Sequence, residues 1–109
     1  MTKLQPPESD DHWLVIDGRR WRRTDPELPD DLVAALKSHL GRARSAVGVT
    51  KRAGDTDATA AARLRVNLAK TGLGERGPRW WDVALDDRLA QAQDCLEQLE
   101  VLAPSPQQD

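Results

Sequence analysis

Two rhythms of apolar and polar residues run along this chain: one short stretch of period two, then three segments of period 3.6. In the first, "WLVI" and "RRWR" flank Asp17-Gly18. An Asp-Gly pair between two such runs signals a type I′ β-turn, whose central residues need positive φ. A two-residue loop sets Ile16 opposite Arg19, Val15 opposite Arg20, Leu14 opposite Trp21 and Trp13 opposite Arg22. Alternation then gathers Leu14, Ile16 and Trp21 on one face, expected to pack inward against Trp80 or Trp81. Trp13 and Val15 share the other face with Arg20 and Arg22, where Trp13 beside Arg22 is expected as a cation–π pair. A lone hairpin is marginal in water and must pack on something else.

The remaining rhythm predicts helices over 30–53, 57–71 and 83–102. In the first, Leu32, Leu36, Leu40, Ala43, Val47 and Thr50 form one apolar stripe. Pro29 pre-sets its start, and Asp30 and Asp31 fall in the first turn, where negative charge is favoured. The opposite face carries Ala34, Ser38, Gly41, Ser45 and Gly48, all small, which predicts close approach by a second helix, by the hairpin, by a second subunit or by a nucleic-acid backbone. Gly54 closes this helix, and Asp55, Thr56 or Asp57 caps the next. The second helix is expected to turn Asp57, Ala61, Leu64 and Leu68 inward and to stop at Gly72, making an antiparallel helical hairpin with the first. The third starts after Asp82 as N-cap, with Leu85, Leu89, Ala92, Leu96 and Leu99 as its seam. The fold class is therefore α+β, mainly helical: an N-terminal two-stranded hairpin on a helical hairpin, plus a C-terminal helix. Residues 12–102 make one domain, and residues 1–11 and 103–109 read as disordered tails.

Composition narrows the core. All four aromatic residues are tryptophans, so Leu, Val and Ala must supply most of its volume. One cysteine, Cys95, excludes an internal disulfide and reads as an inert, partly buried thiol. With only two histidines, no standard zinc site can be assembled. "MTKLQPPESDD" holds no apolar run and does not read as a signal peptide, and no stretch nears the ~20 apolar residues that span a bilayer. A cytoplasmic location is expected. Charge is uneven: residues 12–81 carry fourteen Lys/Arg against eight Asp/Glu, whereas residues 82–109 carry Arg88 against seven acids. Such a split predicts that the acidic end folds over the basic body, or that the body meets an anionic partner.

"GLGERGPRWW", residues 72–81, is neither a dinucleotide fingerprint nor a phosphate loop, because it follows a helix and no Lys-Ser/Thr succeeds its glycines. It reads as a tight turn whose tryptophans lock onto the hairpin, or as an aromatic platform flanked by Arg76 and Arg79. Together, "DGRRWRRTDPELP" and "GLGERGPRWWD" resemble the motifs of a group of small bacterial proteins. Their usual form is "DGRRWR-x-TDP-x-[IL]P", an Ala/Arg-rich helical pair and "LGERG-x-xWW", and they are often labelled "biopolymer transporter Tol". The resemblance covers roughly residues 12–82. It implies a compact small domain of unknown activity in which Trp21, Trp80 and Trp81 belong to one repeated design, and it brings no catalytic residues. The helix after Asp82 lies largely outside it.

Candidate chemistry is sparse. Asp17, Asp25 and Glu75 are the carboxylates near the Trp-rich end, and each has a structural use: the turn, a bond to its own backbone before Pro26, and pairing with an arginine. His39 sits at the border of the first apolar stripe. No cofactor, metal site or small-molecule substrate is indicated. The candidate anion or partner surface is Arg19, Arg20, Arg22, Arg23, Arg76 and Arg79; Trp13, Trp21, Trp80 and Trp81 form the candidate structural cluster. The sequence reads as a small non-catalytic protein-interaction or assembly module, with self-association its simplest form. A nucleic-acid-binding protein using the Arg-rich hairpin and basic helices is the alternative, and an enzyme the third reading.

Overall fold

A computed structural model describes residues 12–105. Residues 1–11 and 106–109, which make up most of the two expected tails, lie outside it. The architecture is α+β: strands β1 (Trp13–Ile16) and β2 (Arg19–Arg22), then helices α1 (Asp30–Arg52), α2 (Thr56–Gly72) and α3 (Leu85–Leu102), with a single 3-10 turn, Trp80–Asp82, before the last. The antiparallel register is Trp13–Arg22, Leu14–Trp21, Val15–Arg20 and Ile16–Arg19. Asp17 and Gly18 both have positive φ, at 51° and 79°, as a type I′ turn demands.

Pro29 precedes the first residue of α1, and Asp30 and Asp31 occupy its first turn. The chain leaves α1 through Gly54, at φ 72°, and Asp55 caps α2 by accepting from Ala58 N. The side chains of Thr50 and Thr59 hydrogen bond at 2.8 Å, and Gly72 sits against Leu36, so α1 and α2 are antiparallel. Arg88 reaches Asp25 and Glu100 reaches His39, so α3 runs back alongside α1. The acidic end thus folds onto the basic body. Leu28, Leu32, Leu36, Leu40, Ala69, Leu73, Ala92, Cys95 and Leu99 make the core.

Three expectations need correction. The inner face of α2 is Thr59, Ala62, Ala69, Lys70 and Gly72, whereas Leu64 is half exposed. Asp57 and Ala61, also expected inward, are exposed, but Leu68 is partly buried against the core as expected; alanines let α1 and α3 come close. α2 stops at Gly72 as expected, but not through a positive φ there: Gly72 is buried in the last turn, where a Cβ would lie 3.0 Å from Leu36 Cδ2 and 3.1 Å from Cys95 Cβ, and the left-handed residue is Gly74. Asp82 does not cap α3; Ala84 stands there, and Asp82 bonds Arg79 within the 3-10 turn.

Residues 103–105, the described part of the expected C-terminal tail, are held to the helices. Arg42 donates to the carbonyls of Ala103 and Pro104, and Ser105 donates from both its backbone N–H and its hydroxyl to Glu100.

Candidate functional site

The two Trp-containing motifs meet. β2 leads into a connector whose Asp25 N–H donates to Leu73 O, laying residues 23–28 across the end of α2. Trp80 is buried there, its indole Nε1 donating to Arg23 O at 3.0 Å. Gly74, at φ 83°, lets the chain turn under it: a Cβ at Gly74 would lie 3.1 Å from Trp80 Cδ1 and 3.2 Å from Asp25 Cβ. Trp81 stacks on His12 with ring centroids 4.1 Å apart and meets Trp13 edge-on. Arg22 donates from Nη1 to the carbonyls of Gly74, Gly77 and Pro78, closing the glycine-rich loop. Below this, Arg88 bonds both oxygens of buried Asp25 and one of Glu27. Burial opposes the Arg88 charge, but hydrogen bonds to Glu27 and Asp25 overcome it and raise its pKa.

This geometry decides how the candidate arginines are used. Arg19 lies over Trp21 and Arg20 over Trp13, at 4.9 and 4.2 Å, so the cation beside Trp13 is Arg20 rather than the expected Arg22. Same-face neighbours two residues apart on adjacent strands outreach the direct pair here, because Arg22 is spent on the loop. The Arg23 backbone N–H donates to His12 O, Arg76 donates to Asn67 Oδ1, and Arg79 pairs with Asp82. The six are not gathered into one open cationic surface. Trp21 does not pack on Trp80 or Trp81. Those rings take His12 and Trp13, and Trp21 remains 38% exposed with Ile16 at 53%.

The small-residue face of α1 meets neither α2 nor α3. Ala34, Ser38, Gly41 and Ser45 are exposed, a Cβ at Gly41 would meet nothing within 4 Å, and at Gly48 only the Arg52 side chain is near. His39, by contrast, is fully buried and bonds Glu100. Hydrogen bonds from Ser105, then from His39, pull the Glu100 carboxyl down to about 2. Cys95 is buried, which with nearby Asp94 pushes its thiol pKa up, away from nucleophile chemistry.

The chain matches no protein-family model, no curated protein and no solved structure. Function must therefore be argued from surfaces. Among the described residues no helix is long and apolar enough to cross a membrane, and no three His, Cys, Asp or Glu side chains cluster as metal ligands.

Besides a hollow of about 370 Å³ among Arg44, Val47, Arg63, Val66 and Arg76, three concavities are of interest. The largest of these three, about 480 Å³, lies at the α1–α2 turn, where Asp55 already caps α2. A second, about 310 Å³, lies between the hairpin and the helices, walled by Leu14, Ile16 and Trp21 on one side and Arg44 and Lys70 on the other, with Thr24 and Glu75 also lining it. Glu75 does not pair with an arginine; it accepts from Thr24 Oγ1 at 2.6 Å. The third, about 340 Å³, is an apolar groove between α2 and α3 lined by Leu64, Leu68, Gln98, Val101 and Leu102. Its Leu64 was expected in the core. Helical periodicity alone placed it on an apolar stripe, but could not say which of several alanine-bearing faces of α2 would turn inward.

Proposed function

We propose that this protein is a non-catalytic interaction module that associates with a protein surface, first of all with a second copy of itself, through the groove between α2 and α3. The observation that supports this is the run of apolar side chains left in water there. Val101 is 82% exposed, and Leu64 and Leu102 are each about half exposed beside Leu68. Large apolar groups that cluster on a surface mark a contact site far better than single ones do.

Self-association is the simplest way to cover such a surface. Arg63 and Arg76 lie on the α1 side of α2, beside Arg44 and Val47, so the charge next to the groove is on its α3 side. On α3, exposed Asp94 and Glu97 precede Val101 by two turns and one turn. A twofold axis over the groove sets the α2 edge of each copy against the α3 edge of the other, so the same surface supplies both halves of the contact. The same reading places the protein in the cytoplasm, where its lone thiol stays reduced.

Sedimentation velocity from about 10 µM to about 1 mM tests this. A dimer that grows with concentration and disappears in Val101→Glu supports the reading. A monomer at every concentration overturns the self-association.

A further inference from the structure

We infer that the groove between the hairpin and the α1–α2 pair is a binding site for a small organic carboxylate carried on an apolar body. It is separate from the α2–α3 surface and does not depend on it.

The groove is built of two incompatible materials. On the hairpin wall, Leu14, Ile16 and Trp21 present hydrocarbon, and Ile16 and Trp21 leave much of theirs in water. On the helix wall stand two cations. Lys70 is 8% exposed, its stem buried in α2 and its ammonium 5.2 Å from the Trp21 ring centroid. Among the described residues it has no hydrogen-bond acceptor and no carboxylate within ion-pair distance. The stem is covered, but the ammonium itself reaches the groove, where among the described residues it has no protein acceptor to give up when a ligand arrives. Arg44 likewise makes no hydrogen bond or ion pair among the described residues. Burial, with repulsion from Arg44 and Arg76, outweighs the attraction of Glu75 and holds the Lys70 pKa below its ordinary value.

One kind of ligand relieves both walls at once. Its anionic end would accept from Lys70 and Arg44, and its apolar body would cover Ile16 and Trp21. The volume suits a molecule of roughly ten heavy atoms, at the lower end of small-molecule pockets. Glu75, held by Thr24, is a negative charge in the same groove and offsets one of the two cations, and a single carboxylate neutralises the charge that remains. Arg22 also lines the groove, but its Nη1 is committed to the loop carbonyls.

Octanoate and its neutral analogue octanamide titrated into the ¹⁵N-labelled full chain make the test. The four indole N–H signals report directly, and a Trp21→Phe variant assigns the one of interest. Octanoate is expected to shift the Trp21 indole, with octanamide weaker by about tenfold or more. Lys70→Met and Arg44→Gln should each weaken octanoate by about fivefold or more, with helical content unchanged by circular dichroism. Equal binding of octanamide, or no Trp21 shift at about 10 mM octanoate, would overturn the proposal. So would a shift that survives in both variants.

Discussion

Asp25 and Arg88 stand 63 residues apart and meet as a buried ion pair, with Arg88 Nη1 at 2.8 Å from each carboxylate oxygen. The contact ties the connector after the hairpin to the first turn of α3. Removing one partner strands the other in a buried site, so Asp25→Ala should cost about 3–5 kcal/mol. Arg88→Met should cost a similar amount, and the double variant less than the sum. Urea melts of the three variants measure this coupling. Additive losses would mean that the two side chains act independently.

Glycine substitutions separate the closed face of the bundle from the open one. Gly72→Ala drives a Cβ between Leu36 and Cys95 and should destabilise by about 1–3 kcal/mol. Gly41→Ala meets open space in an exposed stretch of α1 and should stabilise by about 0.5–1 kcal/mol. Thermal melts of the pair show opposite signs if α1 lies as described.

Acid should loosen the C-terminal contacts first. The Glu100 carboxyl is lowered from 4.5 to about 2 by Ser105 and His39. A carboxyl whose folded pKa is depressed adds stability above its unfolded pKa and loses it as the pH falls toward the folded value. The contribution is therefore complete above 4.5 and drains away between there and about 2. Denaturant melts across that range should show a shallower pH dependence for Glu100→Gln than for the natural chain.

Lys70→Met should leave stability unchanged or raise it by about 1 kcal/mol. Methionine keeps the packing of the stem and removes a cation that burial and Arg44 disfavour. A loss of more than about 1 kcal/mol would show that the ammonium contributes to the fold itself.

Much of the fold was legible because its signals are local. Asp17-Gly18 sets the turn, and the turn sets the register of every pair in the hairpin. Pro29 and Gly54 mark the ends of α1 within a residue or two. The face of the hairpin that packs was not legible. Alternation sorts Trp21 from Trp13 but carries no information on which side the Trp80–Trp81 turn will approach. The inner face of α2 was obscured for a related reason: alanines at 58, 60, 61, 62 and 69 leave several faces apolar enough to bury. Asp25 and Arg88 had no local signal, although Arg88 is the one cation in the acidic stretch 82–109. Lys70 and Arg44 stood out only as two among many cations, since their shared groove exists only after the hairpin docks.

The placement of the tryptophans divides the molecule optically. Trp13, Trp80 and Trp81 cluster with His12, and Trp21 lies on the same hairpin, while the packed interior between α1, α2 and α3 is aliphatic. Intrinsic fluorescence therefore watches the hairpin and its loop, and far-ultraviolet dichroism watches the helices. Melting curves from the two signals that coincide would show one cooperative unit. Curves that part would reveal a hairpin that lets go while the three helices still hold.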